Sequence, residues 1–111
     1  MGARIGAVRK ISVDGKNFYW KTDWNIIFPG TNIVSLSHFR AWRAKGRGVT
    51  LRADVVCIKG IYILMPKESA ILIEYALKKG WNPDGTQGTQ FCLTSADKAE
   101  ELEDFVLIDV V

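Results

Sequence analysis

The sequence is 111 residues long, which fits one domain because domains cluster at roughly 100 to 150 residues. Hydrophobic residues make up 48% and charged residues 24%, a globular balance that excludes an intrinsically disordered chain. The net charge is +3, which is modest for a protein that binds nucleic acid.

The charge is unevenly distributed along the chain. Residues 1–67 contain twelve Lys or Arg and three acidic residues, whereas residues 68–111 contain three Lys and nine acidic residues. Such asymmetry is found in proteins with a nucleic-acid-binding face and in proteins with two complementary surfaces. The simplest interpretation is two solvated outer faces.

Several classes of protein are disfavoured by features that the sequence lacks. No apolar stretch approaches the roughly 20 residues of a membrane span, and the N-terminus has no signal-peptide pattern, so we expect a cytoplasmic protein without membrane contact. Cys57 and Cys92 are too far apart for a disulfide scaffold and are expected to be reduced and buried. Because His38 is the only histidine, we predict no metal and no other cofactor.

The first predicted element is a β-hairpin. The segment "RKISVDGKNFYW" places two β-rich runs around Asp14 and Gly15, which tolerate the positive φ angles of a tight turn. In the second run, apolar residues alternate with polar ones from Phe18 to Trp24, which fixes the apolar face. Trp20 is therefore predicted to lie in the core.

Two more strands are predicted before residue 60. A turn at 28–32 leads into a strand that begins near Ile33, and neither face of this strand is cleanly apolar. A turn at 45–48 leads into a strand over 49–58, in which Arg52 and Asp54 are predicted to point outward on a half-solvated face. Residues 61–65, "IYILM", are a candidate extension of the sheet.

The pattern becomes helical at Pro66. A helix is predicted over 66–79, with Pro66 at its first position, Glu68 in its first turn and two lysines at its end. A short strand within "TQFCLT", a short second helix near 95–104 and a closing strand in "FVLIDVV" follow. This order predicts an α+β fold: an antiparallel sheet of about four to six strands, curved and open like half a barrel, with the helix 66–79 on one face.

The segment "ALKKGWNPDGTQG", residues 76–88, contains glycines of the kind that line phosphate-binding loops. Those loops precede a helix, because the helix N-terminus attracts the anion. Here the glycines follow a helix, with Gly80 suited to its C-terminal cap and Pro83 preventing its continuation. We therefore interpret the segment as a helix stop followed by turns.

The sheet face that the helix leaves uncovered is the candidate functional surface. The stretch "HFRAWRAKGRGVTLR" combines aromatic and basic side chains, which is typical of sheets that bind single-stranded nucleic acid. The candidate binding residues are His38, Arg40, Trp42, Arg43, Arg47 and Arg52. Strand alternation places Arg40 and Arg43 on opposite faces, so a solvent-facing hairpin that resists aggregation is the competing interpretation.

An enzyme or a small-molecule site is a further alternative. It would use a pocket near His38, combined with Ser35, Ser37 or Asp54 on neighbouring strands. No nucleophile motif surrounds these residues, and we predict that the protein is not an enzyme.

The aromatic residues Tyr19, Trp24, Trp42 and Tyr62 exceed what a small core easily covers. Because aromatic residues commonly anchor protein interfaces, Tyr19, Trp24 and Tyr62 are candidate interface residues. The leading hypothesis is an interaction or accessory module that forms a homodimer or binds another protein. A single well-filled core is the competing explanation of the same residues.

The sequence also resembles a group of known proteins. An opening strand followed by "VDG" and an aromatic strand, a helix that starts at Pro66, the segment "ALKKGWNPDG" and a closing "FVLIDVV" occur in order. This combination resembles small bacterial proteins, some of which are carried on mobile elements such as integron gene cassettes. The resemblance implies a cytosolic α+β domain without assigned activity or site residues. In those proteins a capping threonine often precedes the helix-starting proline, whereas here the residue is Met65.

Overall fold

A computed structural model of the chain describes residues 7–27, 34–43, 48–58, 64–86 and 88–110. These residues form an α+β fold with one main helix and a six-stranded sheet. In chain order the elements are β1 (Arg9–Val13), β2 (Lys16–Ile27), β3 (Val34–Arg43), β4 (Thr50–Cys57), α1 (Pro66–Lys78), β5 (Gln90–Cys92), a 3-10 turn (Glu100–Leu102) and β6 (Phe105–Ile108). The predicted fold class is confirmed.

The sheet is open and mostly antiparallel. Strands β1 to β4 pair in sequence order, each antiparallel to the next. The far edge of β4 is shared by two short strands: β5 pairs in parallel with Thr50–Arg52, and β6 pairs antiparallel with Asp54–Cys57. The parallel pairing of β5 is the one departure, among the described strands, from the predicted antiparallel arrangement.

The first hairpin forms as predicted. Asp14 and Gly15 have φ angles of 51° and 74°. Two consecutive left-handed residues define the tight turn whose twist matches paired strands, which sets Tyr19 opposite Lys10 and Phe18 opposite Ile11.

The core lies between α1 and one face of the sheet. Alternate residues of β2 and β4 point toward the core, so Phe18, Leu51 and Val55 are fully buried in one apolar cluster with Leu72 and other residues of α1. Trp20 is 4% exposed and belongs to this core, as predicted.

Helix α1 begins without a side-chain cap from Met65. Instead, the Met65 backbone N–H donates to the Glu68 carboxylate at 2.9 Å, and the Ser69 hydroxyl donates to the Met65 carbonyl at 3.0 Å. A negatively charged Glu68 in the first turn also suits the positive end of the helix dipole. Glu68 and Pro66 therefore define the start of the helix in place of a threonine.

The end of α1 is a glycine stop. Gly80 has a φ of 107°. Its N–H donates to the Leu77 carbonyl at 3.3 Å, and the Trp81 N–H donates to the Ala76 carbonyl at 2.9 Å. This pair of bonds satisfies carbonyls that a helix end leaves without partners. The interpretation of the segment as a helix stop is confirmed.

The turn after the helix packs against the start of β4. The Gly85 N–H donates to the Asn82 carbonyl at 3.1 Å, which closes the predicted β-turn. The Val49 N–H donates to the Pro83 carbonyl at 3.1 Å, and the Trp81 indole N–H donates to the Val49 carbonyl at 2.9 Å. The segment thus joins the end of α1 to the sheet.

The region after β5 contains less helix than the sequence suggested. The second helix predicted near 95–104 is limited to the 3-10 turn Glu100–Leu102. Upstream, the Thr94 N–H donates to the Asp97 carboxylate at 2.8 Å and the Lys98 N–H donates to the Tyr75 hydroxyl at 3.1 Å. These side-chain partners replace the helical ones.

Two smaller predictions concern the burial of the cysteines and the sheet extension at 61–65. Cys92 is exposed, so the prediction that both cysteines are buried is wrong for this residue. Cys92 belongs to the three-residue β5, where strand alternation places it on the face opposite Phe91. The extension predicted at 61–65 falls outside the described residues apart from Leu64 and Met65, which are not in a strand.

The chain after β6 is tied back to the turn at Ser95. The Ser95 backbone N–H and hydroxyl both donate to Asp109 at 3.0 Å. These two hydrogen bonds hold the pKa of Asp109 below its ordinary value of 3.8, and the bond from the backbone N–H has the larger effect. Since folding lowers this pKa, the contact contributes stability at pH values above 3.8, and the contribution is lost as the pH falls through the folded pKa.

We expect Ser95→Ala to raise the pKa of Asp109 toward 3.8, though only in part because the backbone N–H remains. The measurement is an NMR titration of the Asp109 carboxyl carbon. Ser12→Ala, a change of another exposed serine, is the control and should leave this pKa unchanged. An Asp109 pKa at or above 3.8 in the unmodified protein would contradict the contact.

Candidate functional site

The candidate site is the sheet face that points away from the core, which we call the open face. It consists of the residues that alternate with the buried ones, and the strand register fixes their neighbours. Apart from Asp54, these side chains are half-buried or exposed. The open face comprises Lys10, Ser12, Asn17, Tyr19, Lys21, Asp23, Asn25, Ile27, Val34, Leu36, His38, Arg40, Trp42, Thr50, Arg52, Asp54, Val56, Gln90, Cys92, Val106 and Ile108.

One end of the open face is aromatic and basic. Tyr19 on β2 lies directly opposite Trp42 on β3, and the ring centroids are 6.1 Å apart. On the other side of Tyr19, the Lys10 ammonium lies 5.7 Å from the ring centroid. This separation allows a cation–π interaction. Three adjacent strands thus present a pair of tilted aromatic rings edged by a cation.

The middle of the open face contains charged residues in consecutive register. The Arg40 guanidinium donates to Asp23 at 2.9 Å, and the Lys21 ammonium lies 3.7 Å from the same carboxylate. Arg40 also lies opposite Arg52. Like charges on directly opposed residues of adjacent strands are destabilising. Asp23 therefore compensates part of a dense positive cluster.

His38 is held by a buried carboxylate. Its Nδ1 lies 3.1 Å from Asp54 Oδ1, on directly opposed residues of β3 and β4. The Asp54 side chain is only 1% exposed, whereas the His38 side chain is 26% exposed. The strand phase predicted for Asp54 is correct, but the expected solvation of this residue is wrong because neighbouring strands cover it. The contact fixes the orientation of the imidazole.

The predicted combination of His38 with a serine does not form. Ser35 and Ser37 are fully buried on the core face of β3, opposite to the face of His38. The structure therefore provides an oriented imidazole but does not place either serine beside it as a nucleophile.

The other end of the open face is apolar. Leu36, Val56 and Val106 lie side by side on β3, β4 and β6. Val106 is 45% exposed, and Ile58, which follows β4 in the same alternation, is 57% exposed. We call Leu36, Val56, Ile58 and Val106 the apolar half. Two of the four exposed large hydrophobic side chains in the described ranges thus lie together.

The structure divides the residues that the sequence singled out. His38, Arg40, Trp42 and Arg52 share the open face. Arg43 lies on the core side, where its guanidinium carbon is 5.5 Å from the Phe18 ring centroid. Its Nε is also 3.8 Å from the Asp84 carboxylate. Its placement in the binding face was therefore wrong, as strand alternation had suggested.

The candidate interface residues are divided in the same way. Tyr19 lies on the open face, whereas Trp24 lies in the strand phase of Trp20, half-buried on the core side. Trp24 borders a cleft of about 270 Å³ together with Arg9, Leu64 and Met65. Arg47 and Tyr62 lie outside the described residues.

Three charged members of the open face were missed from the sequence, namely Lys10, Lys21 and Asp23. They lie on β1 and β2, away in sequence from the stretch 38–52. The available signal was the hairpin turn at Asp14 and Gly15, since that turn alone pairs Lys10 with Tyr19.

Metal-ligating side chains and clefts are the remaining features of the open face. Within the described ranges no group of three or more His, Cys, Asp or Glu side chains could hold a metal ion. A cleft of about 300 Å³ borders Tyr19 and is lined by Lys10, Ser12 and Asn17. This cleft, the one at Trp24 and two clefts near α1 and residues 95–107 are lined by residues other than His38.

The fold and this face define an α+β protein with one helix-covered sheet face and one face divided into aromatic–basic, charged and apolar regions. No helix in the described part of the chain is long and apolar enough to cross a membrane. Comparison with protein-family models, curated protein sequences and solved structures found no match to the chain.

Proposed function

We propose that this protein is a non-enzymatic interaction module that acts as a homodimer through the apolar half of its open face. The observation that carries the proposal is the exposure of Val106 and Ile58, 45% and 57%, beside Leu36 and Val56. Contiguous apolar surface of this kind commonly marks an interface.

A second copy suits this surface for a geometric reason. In a two-fold dimer the same patch meets itself, so an apolar row packs against an apolar row. The charged residues Asp23 and Arg40 lie to one side of that row and stay in water. The gain is the removal of apolar area from water, about 25 cal/mol per Å².

The proposal also covers the cellular location of the protein and the group of proteins to which it is related. We place the protein in the bacterial cytoplasm, and we relate it to the small proteins of integron gene cassettes. The support is the ordered combination of the "VDG" hairpin, the helix that starts at Pro66 and the glycine stop at Gly80.

Val106→Glu is expected to weaken dimerisation by about 100-fold or more, which corresponds to about 3 kcal/mol. The reason is that each copy would bring a carboxylate without a partner into the apolar contact. The measurement is sedimentation equilibrium from low to high micromolar protein, with circular dichroism to verify that the fold is kept.

Val8→Glu is the matched control. Val8 is also a valine and is 54% exposed, but it adjoins β1, at the opposite edge of the sheet from β6. We expect this variant to dimerise like the unmodified protein. An unmodified protein that stays monomeric at high concentration would overturn the proposal, as would equal weakening by both substitutions.

A further inference from the structure

The aromatic–basic end of the open face has features that self-association through the apolar half does not use. Tyr19 and Trp42 form a pair of rings with centroids 6.1 Å apart on adjacent strands, and both are half-buried with a solvent-facing side. Unstacked nucleic-acid bases bind to such sheet aromatics, because every base offers a π face to the ring.

The cationic side chains around this pair of rings could bind several phosphates of one nucleic-acid strand. Lys10, Lys21, Arg40 and Arg52 lie on four adjacent strands beside the two rings. Asp23 pairs with Lys21 and Arg40. Arg52 has no ion pair within the described ranges and lies directly opposite Arg40. A phosphate between the two guanidiniums would relieve the part of their repulsion that Asp23 does not compensate.

A cleft beside Tyr19 adds room for a ligand. Its volume is about 300 Å³, and Lys10, Ser12 and Asn17 line it. This volume lies at the small end of ligand-binding clefts. The polar side chains offer hydrogen-bond donors at the edge of a ring on which a base can stack. Stacking surface, donors and cations thus occur together at one end of the sheet.

We propose that this end of the open face binds single-stranded nucleic acid, with bases stacked on Tyr19 and Trp42 and phosphates held by Lys10, Arg40 and Arg52. A single strand fits because stacking on these rings requires bases that are free of a duplex. The open face also lacks the protruding helix that enters a major groove. The site goes beyond the proposed dimer and leaves the apolar half free.

The test is fluorescence anisotropy with labelled 20-nucleotide oligo-dT and oligo-U at 50 mM NaCl. We expect both to bind, and affinity to fall steeply with salt because phosphate contacts release counterions. Trp42→Ala is expected to weaken binding roughly 5- to 150-fold. A higher affinity for oligo-dT would identify DNA as the preferred ligand, and a higher affinity for oligo-U would identify RNA.

Trp24→Ala is the matched control, since Trp24 is also a half-buried strand tryptophan but lies on the core side. This variant should bind like the unmodified protein. Arg52→Gln keeps the aromatic pair but should weaken binding. It should also reduce the slope of log affinity against log salt concentration by the equivalent of about one phosphate contact. It keeps the inference testable if Trp42→Ala fails to fold.

The outcomes separate this inference from the proposed dimer. Val106→Glu should retain oligonucleotide binding even when it is monomeric. Absence of binding at 50 mM NaCl would overturn the inference and leave the dimer untouched. Equal binding of duplex DNA or heparin, with no effect of Trp42→Ala, would overturn it as well, because the interaction would then be charge attraction alone.

Discussion

Replacing Trp81 with alanine is expected to lower the free energy of unfolding by about 3–5 kcal/mol. The side chain is 3% exposed and contacts Phe18, with ring centroids 5.7 Å apart. Its indole N–H donates to the Val49 carbonyl at 2.9 Å, so the substitution also leaves that carbonyl without its partner. One residue thus fastens the end of α1 to the start of β4.

The measurement is urea unfolding followed by circular dichroism. Trp81→Phe should lose only the hydrogen bond and part of the contact, about 1–2 kcal/mol. Trp24→Ala is the control, since Trp24 is half-buried at the edge of a cleft and should cost less. A loss below about 1 kcal/mol for Trp81→Ala would show that the tryptophan does not fill the core as described.

The second large effect is expected at Gly48. A Cβ at this position would overlap the carbonyl oxygen of Pro83, and the Gly48 φ is also positive, at 29°. Because the obstacle is backbone, it cannot move aside without breaking the hydrogen bond from Val49 to Pro83. We expect Gly48→Ala to destabilise the fold by at least about 2 kcal/mol.

Gly80→Ala is the control that separates the two causes at Gly48, the clash with the Pro83 carbonyl and the positive φ. Gly80 also has a positive φ, at 107°, but nothing lies within 4 Å of an added Cβ. This variant should cost only about 1–2 kcal/mol for the conformation. Amide hydrogen exchange at Val49 should accelerate in Gly48→Ala more than the change in global stability explains. Equal exchange in the two variants would refute the backbone contact.

Local signals were sufficient to predict most of the fold. The turn residues Asp14 and Gly15, the alternation from Phe18 to Trp24, and the Pro66 and Gly80 boundaries each report on neighbours in sequence. Such features depend on backbone preferences and on one period, so they need no knowledge of distant contacts.

The candidate site was predicted only in part because it depends on register between strands. Tyr19 and Trp42 were separate features in the sequence and become a ring pair through the pairing of β2 with β3. The burial of Asp54 likewise arises from neighbouring strands, since its own strand pattern marks it as outward-facing. Pairwise register is long-range information that periodicity does not contain.

In the segment near 95–104, tertiary hydrogen bonds override the local preference for a helix. Its composition favours a helix, yet Thr94, Ser95 and Lys98 direct backbone N–H groups to Asp97, Asp109 and Tyr75. Two of these partners lie far away in sequence. A helical pattern is a weak prior where polar side chains compete for the backbone.

The edges of the sheet restrict how copies of this protein can assemble. On one side, the edge is interrupted because β5 and β6, of three and four residues, approach β4 in opposite directions. On the other side, β1 carries Arg9 and Lys10. Short or cationic edges resist the strand addition that produces fibres. These edges disfavour edge-to-edge association, so they favour the face-to-face dimer proposed above, in which a two-fold contact would close after two copies and growth would stop.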